Sequence, residues 1–170
     1  MGLPRILKNM NTFNEGNAYG GEVKTVALPK LTRKLEEHRG GGMNGPLQMD
    51  MGMEAMELGL TFGGPVRDVL RQWGVPTVDG VYIRFVGAYQ QDDSSAIDTV
   101  EVIARGRYSE IDPGDQEVGE PGEFAATMAL AYYKLVWNGR TEIEIDFINM
   151  IEIVGGVDRT AELRAAIGMF

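Results

Sequence analysis

The side chains that could support acid–base chemistry in this sequence are mainly carboxylates. Glu142, Glu144 and Asp146 alternate along a strand-like segment, so regular pleating would place all three on one face. Two carboxylates close together are what a glycosidase uses, and a carboxylate hydrolase on a β scaffold is one hypothesis. The same spacing also suits a solvated acidic face, which is far commoner, or an acidic pore lining.

Other kinds of site receive little support. His38 is the single histidine, and the chain has no cysteine. Neither the nucleophile nor the orienting acid of a triad is indicated around His38. The acidic loop over residues 110–122 lacks calcium-loop spacing, and Gly40–Gly42 lacks the pattern of a phosphate loop. We therefore expect no catalytic residue, no metal and no cofactor, and predict that the protein is not an enzyme.

Strands are the elements predicted to position these residues. Asn138-Gly139 is a strong hairpin signal, and Asn14 to Asn17 give turn chemistry for another hairpin. Alternating apolar residues indicate the remaining strands. The predicted strands cover residues 24–31, 46–51, 57–62, 80–91, 97–108, 124–137 and 140–148.

Two helices complete the prediction. After Pro65, an apolar stripe runs at helical spacing through Val66, Val69, Leu70 and Trp73. Residues 155–170 predict a short C-terminal helix with Asp158 as its N-cap. The expected fold class is mainly β, an antiparallel sandwich or barrel with one flanking helix and a short C-terminal helix. A single domain spans residues 1–170.

The predicted 124–148 hairpin mixes apolar and charged residues on each face. With regular pairing across a two-residue turn, Leu135 faces Glu142 and Tyr133 faces Glu144. A bulge would shift this register, so the pairing stays open. Either register suits strands that a neighbouring subunit partly covers, and pairing between copies would also protect open sheet edges.

The segment from about residue 30 to 46 is interpreted as an arm. It follows an apolar run that Pro29 stops, and its last part holds the run Gly40–Gly42. We interpret it as an extended segment that leaves one sheet, crosses open space and returns as a new strand, with the glycines as a hinge. Residues 1–39 carry a net charge of +3 and the remainder −12, so a second copy offers the arm a complementary surface. Glu36 and Glu37 interrupt the basic residues, which weakens a nucleic-acid interpretation.

Length and composition set broad limits. A chain of 170 residues with 44% apolar residues is long enough for one domain with a sizeable core. No apolar run approaches the roughly 20 residues that span a bilayer. The first residues lack the features of a signal peptide, so we expect folding in the cytoplasm.

Several segments together resemble the major tail tube proteins of contractile-tailed temperate phages and of R-type pyocins. The resemblance covers almost the whole chain in order, and the combination of segments is specific. It is carried by LPKLTRKLEEHRGGGM (Leu28–Met43) and PLQMDMGMEAMEL (Pro46–Leu58), and supported by ARGRYSEIDPGD (Ala104–Asp115) and YYKLVWNGRTEIEID (Tyr132–Asp146).

The resemblance implies a structural virion protein with a ring-forming tail tube fold. Six copies would close into a ring, and rings would stack into the inner tube of a contractile tail assembled in the host bacterial cytoplasm. The implied partners are other copies of the chain, the sheath protein, the tape-measure protein, baseplate and terminator proteins, and DNA that passes through the lumen without specific binding. No membrane is involved.

Two sets of site residues follow from this reading. The arm would reach an adjacent subunit or ring. An acidic lumen would repel DNA, whereas a basic lumen would bind it. The predicted arm residues are Leu31, Arg33, Lys34, Leu35, Arg39 and Met43, and the lumen candidates are Asp98, Glu101, Glu142, Glu144 and Asp146.

Three alternatives remain at this point. One is the tube of a phage-derived bacteriocin of the R-type pyocin kind. Another is a part of a related contractile injection machine, such as a secretion-system tube or a baseplate hub. The third, less favoured, is the carboxylate hydrolase.

Overall fold

The computed structural model describes residues 2–169, which form twelve strands and two short helices. The mainly antiparallel β class predicted from the sequence is confirmed. The strands are β1 (Ile6–Asn14), β2 (Asn17–Ala18), β3 (Val23–Ala27), β4 (Arg33–His38), β5 (Leu47–Met53), β6 (Met56–Phe62), β7 (Val81–Gln90), β8 (Ile97–Asp112), β9 (Phe124–Trp137), β10 (Arg140–Asp146), β11 (Ile151–Val154) and β12 (Val157–Asp158), and the helices are α1 (Arg67–Arg71) and α2 (Ala161–Ala166).

The main sheet has the strand order β12-β11-β10-β9-β8-β7-β1-β2 and branches at β9. The first half of β9 pairs with β6 and its second half with β10, while β8 follows nearly the whole length of β9. β3 extends the β6 branch. The long β8–β9 pair is therefore the support on which both parts of the sheet are built.

The core lies against one face of β6, β7, β8 and β9. The predicted alternation on β6 is confirmed, because Leu58, Leu60 and Phe62 are all buried, and the strand also begins one residue earlier with the buried Met56. The Phe62 ring meets Tyr19 edge-on at 5.5 Å between centroids and Phe124 at 5.9 Å. Each fully buried side chain of this kind contributes about 1.5–3 kcal/mol to folding. This core fixes the orientation of the whole branched sheet.

The β9–β10 hairpin contains a bulge, which decides the register that the sequence pattern left open. Its turn is the predicted Asn138-Gly139 pair, with φ angles of 48° and 81°. The register shifts between Thr141 and Ile143, which places Ile143 opposite Leu135. Glu142 is the extra residue in the bulged strand. The mixed faces predicted from regular pairing are therefore wrong: the apolar residues share one face and the charged residues the other.

Helix α1 is shorter than the predicted stripe. Val66 and Val69 are buried against the core, but Leu70 and Trp73 are 49% and 55% exposed. The helix has only five residues, so only one part of its surface can contact the sheet. Gly74 adopts a φ of +78°, a left-handed conformation that favours glycine at the end of a helix.

The C-terminal region differs from its prediction in two ways. The sequence missed β11 and β12, which form a hairpin across Gly155 and Gly156. The N-cap of α2 is Thr160 rather than Asp158. Asp158 instead accepts a hydrogen bond from the Thr160 backbone N–H at 3.1 Å. The last residue of the predicted helix, Phe170, lies outside the described residues.

Candidate assembly surfaces

The predicted arm is a β-hairpin rather than a single extended segment. β4 and β5 pair with each other from Arg33↔Met53 to His38↔Leu47 and form a separate two-stranded sheet in the described chain. The glycines Gly40–Gly42 belong to the turn at its tip, so they are not the hinge at its base. A hairpin is stiffer than an extended segment because cross-strand hydrogen bonds fix its register.

Arg33 anchors the base of this hairpin to its own chain. Its guanidinium donates a hydrogen bond to the carboxylate of Glu152 on β11 and lies 3.7 Å from the Asp50 carboxylate. The Glu152 side chain is only 14% exposed. The hydrogen bond to Glu152 raises the pKa of Arg33 above its ordinary value. Arg33 thus fixes the direction in which the arm leaves the body.

The other predicted arm residues have different environments. Leu31, Lys34, Leu35 and Arg39 are exposed. Met43 is half-buried, with its sulfur 3.0 Å from the Gly40 backbone nitrogen. Met43 therefore stabilises the tip, whereas the four exposed residues are available to a partner.

An apolar row on β5 was only partly anticipated. Leu47, Met49 and Met51 are 58%, 45% and 55% exposed. Their alternation predicted a strand, and methionine in this region suited a core or an interface equally well. The neighbouring strand distinguishes a core from an interface. Since β4 is exposed throughout, no core lies next to the apolar row.

A second surface is the outward face of β7, β8, β9 and β10, which we call the charged sheet face. It carries three cations and three carboxylates in an interleaved arrangement. The register places these residues on the side of the sheet opposite the core. They are Arg84, Glu101, Arg105, Lys134, Glu144 and Asp146.

Ion pairs and ring contacts connect this face across the strands. Arg84 binds Glu101 at 3.0 Å, and Lys134 lies 3.7 Å from Glu144. The Tyr132 hydroxyl donates to Glu144 at 3.1 Å. Burial, together with the Glu144 charge, raises the pKa of Tyr132 to about 12. Arg105 stacks over the Tyr82 ring, 4.9 Å from its centroid.

The structure brings only some of the lumen candidates together. Glu101, Glu144 and Asp146 lie on the charged sheet face, and Asp146 also accepts hydrogen bonds from the turn that follows it. Asp98 lies on the opposite side of its strand, where Arg5 binds it at 2.5 Å and Asn138 at 3.0 Å. Those two hydrogen bonds lower the pKa of Asp98. Glu142 occupies the bulge, so the expectation that it shares a face with Glu144 and Asp146 is not supported by the observed register.

A third surface is a groove between the arm base, β10–β11 and α2. Its volume is about 720 Å³. We call it the C-terminal groove and define it by Met53, Phe147, Ile151, Val154 and Leu163, with charged residues at the rim. The exposed fractions of Phe147 and Leu163 are 42% and 57%, so its apolar surface is accessible.

Arg164 holds α2 in place beside this groove. Its guanidinium donates to the Thr160 hydroxyl at 2.8 Å, to the Met150 carbonyl at 3.0 Å and to both carboxylate oxygens of Asp158. The Arg164 hydrogen bond is the main reason that the pKa of Asp158 falls to about 2. No sequence pattern indicated this cluster, because its members meet only once β11 and β12 have formed.

None of these surfaces has the form of a metal site or a membrane span. Within residues 2–169, no three acidic or histidine side chains are arranged to hold a metal ion. No helix in that range is long and apolar enough to cross a membrane.

A family model described as phage tail tube protein FII matches residues 4–168. The chain belongs to this family of phage tail tube proteins.

Individual relatives agree with this assignment. The tail tube protein of Escherichia phage P2 is 45% identical over 172 residues, covering 99% of this chain and 100% of that protein. The major tail tube protein of Serratia phage KSP20 is 33% identical over 153 residues, covering 89% and 88%. The predicted family and the role as a structural tail tube protein are thereby confirmed.

Solved structures show the same fold in contractile machines. A chain of the PVC extracellular contractile injection system, from its sheath/tube terminator in the extended state, superposes with a TM-score of 0.59 at 10% identity and covers 78% of this chain and 96% of that chain. A chain of the PVC sheath–tube complex gives a TM-score of 0.58 at 11% identity, with 78% and 91% covered. At these identities the likeness concerns the fold alone.

Proposed function

We propose that this protein closes into hexameric rings, which stack head to tail into the inner tube of a contractile tail. The observation that carries the proposal is the arm, a two-stranded sheet exposed on both faces. An isolated two-stranded hairpin is marginally stable in water. The arm therefore gains its stability from a surface on another molecule, and a head-to-tail contact between copies closes into rings or propagates along an axis.

The charged sheet face is proposed to line the lumen. Its cations are offset by an equal number of carboxylates, and Arg84 and Lys134 are each held by a carboxylate. DNA binding depends on free cations that neutralise phosphates. A balanced face of this kind lets DNA and a tape-measure protein pass without strong adhesion. The acidic lumen proposed from the sequence becomes a lumen of paired charges.

The remaining partners follow from the role. We infer that the outside of the tube contacts a sheath protein, and that its ends contact baseplate and terminator proteins. The fold shared with the PVC terminator and the sheath–tube complex supports this assignment. Assembly takes place in the host bacterial cytoplasm and yields a tail component of the virion, with a structural and non-catalytic role.

Electron microscopy tests assembly directly. Purified protein examined by negative stain is expected to show rings or hollow tubes. Deletion of residues 34–51 should abolish tubes and leave a folded body. A protein that stays monomeric at high concentration, with or without the arm, would contradict the proposal.

A charge test asks whether arm cations guide stacking. Lys34→Glu with Arg39→Glu should shorten or abolish tubes, because both side chains are exposed on the arm. Arg33 is left unchanged, since it holds the arm base to Glu152 of its own chain. Lys24→Glu with Arg107→Glu, which reverses two exposed charges on the body, is the control. Equal tube lengths for all variants would show that the charge of the arm does not guide stacking.

Thiol accessibility tests the lumen assignment, because the native chain has no cysteine. A cysteine replacing Ile103, which lies between Arg84 and Lys134 on the charged sheet face, should react with a bulky maleimide only in the unassembled protein. A cysteine replacing Val118, in a fully exposed loop, is the accessible control. Rapid labelling of the first variant in intact tubes would place the charged sheet face outside.

A tube of a phage-derived bacteriocin, or of another contractile injection machine, is the second candidate, and the shared fold with PVC chains favours it. The two are separated by the nucleic acid content of native particles. The hydrolase hypothesis receives no comparable support, because Glu144 is engaged by Tyr132 and Lys134.

A further inference from the structure

The apolar row on the arm is exposed, and no part of the chain between residues 2 and 169 covers it. Leu47, Met49 and Met51 follow one another at every second position of β5, so their side chains leave the same face of the arm. At about 3.3 Å per residue the row is about 13 Å long. Three adjacent exposed apolar side chains on a protruding element indicate a surface that another molecule covers.

The arm cannot place this row in its own C-terminal groove. Asp50 and Gly52 line that groove from the arm side. Met49 and Asp50 are neighbours in the regular part of the β4–β5 ladder and point to opposite faces, so Met49 faces away from the groove. The Arg33–Glu152 pair holds the arm base in that orientation. An occupant of the groove would therefore come from another molecule.

The row and the groove match in chemistry as well as in exposure. Both are apolar, and within residues 2–169 each has charged neighbours that make no ion pair. On the arm these include Glu36, which lies directly opposite Met49 on the same face. On the groove they include Arg159. A carboxylate and a guanidinium in this arrangement fix the orientation of an otherwise apolar contact.

We propose that the Leu47–Met51 row of one copy occupies the C-terminal groove of a second copy, with Glu36 of the first binding Arg159 of the second. This inference rests on the proposed tube assembly and specifies its contact. Because the base of the resident arm forms one wall of the groove, every copy both donates an arm and receives one. Such a contact is heterologous and continues from copy to copy.

Crosslinking tests the contact. Two proteins are prepared separately, one with Met49→Cys and one with Leu163→Cys, and mixed under conditions in which the native protein forms tubes. A bifunctional maleimide should then give a covalent heterodimer in high yield. Leu70→Cys, on α1 and of similar exposure, replaces Leu163→Cys in the control mixture and should give at most a trace.

The outcomes separate this inference from the proposed function. Tubes without the Met49–Leu163 crosslink would overturn the groove contact and leave tube assembly standing. The crosslink without tubes would support the contact and contradict stacking. If the mixture forms no tubes and gives no crosslink, the result contradicts both the groove contact and the tube assembly.

A charge exchange tests the orientation of the contact. Glu36→Arg alone and Arg159→Glu alone should each reduce tube assembly at least tenfold, and the two together should restore it. Glu37→Arg, one position away and on the opposite face of β4, should have little effect. If both single variants fold but the double variant does not recover tube assembly, the proposed Glu36–Arg159 pair is contradicted.

Discussion

Arg33 at the base of the arm binds Glu152 on β11, a strand 119 residues further along the chain. The Glu152 side chain is 14% exposed and that of Arg33 is 40% exposed. This ion pair thus joins the β4–β5 arm to the body beside the C-terminal groove.

Replacing Arg33 should destabilise the body and loosen the arm together. Arg33→Met leaves the largely buried Glu152 carboxylate without its partner, which costs about 1–3 kcal/mol. Urea denaturation and amide hydrogen exchange of β4–β5 measure the two effects. Lys34→Met, an adjacent exposed lysine, should stay within about 0.5 kcal/mol of the native protein. Equal losses for both variants would contradict the anchoring role.

The amide pair between Asn14 and Gln72 should be a second point of sensitivity. Each side chain donates to the other, at 2.7 and 3.0 Å, and Asn14 also contacts the Tyr19 hydroxyl at 3.2 Å. Asn14 is buried, so Asn14→Ala leaves these groups unpaired and should cost about 2–4 kcal/mol. Thermal denaturation of Asn17→Ala, an exposed neighbour, supplies the control. A loss below about 1 kcal/mol for Asn14→Ala would show that the pair contributes little.

Gly106 and Gly41 form a matched pair for backbone packing. A Cβ atom at Gly106 would lie 2.1 Å from the Ala129 carbonyl oxygen across the β8–β9 ladder, whereas one at Gly41 meets nothing within 4 Å. Gly106→Ala should therefore destabilise by about 3 kcal/mol or more, since backbone must move. Gly41→Ala should be neutral or slightly stabilising in equilibrium unfolding. Similar stabilities would contradict the close approach at Gly106.

Acid should weaken the interaction between Asp158 and Arg164 in a defined pH range. The pKa of Asp158 is about 2 in the folded protein against an ordinary value of 3.8, chiefly because Arg164 donates to it. Because its pKa is lowered in the folded state, Asp158 stabilises the fold at pH values above its ordinary pKa. This contribution is lost as the pH falls through about 2. The Tm difference between native protein and Asp158→Asn should be constant near pH 6 and shrink between pH 4 and pH 2. A difference that stays unchanged down to pH 2 would contradict the assignment.

The sequence alone determined most of the local structure. Alternation along β6 predicted the burial of Leu58, Leu60 and Phe62, since a strand with one face on a core must alternate. Asn138-Gly139 predicted its hairpin because these residues accept the positive φ angles of a tight turn. The family followed from segments in order along nearly the whole chain, which depend on sequence rather than on contacts.

Tertiary structure decided what lies opposite each residue. The bulge at Glu142 moves the following residues by one position, and the sequence does not determine where an extra residue is accommodated. The arm became a hairpin because β5 pairs with β4, a choice between partners that depends on what else each strand can contact. Asp158 and Arg164 meet only through β11 and β12, which the weak periodicity of four- and two-residue strands did not reveal. Local propensity is encoded within a few residues, whereas register and surface pairing depend on contacts between residues distant in sequence. Those distant contacts determine which surfaces are available for assembly.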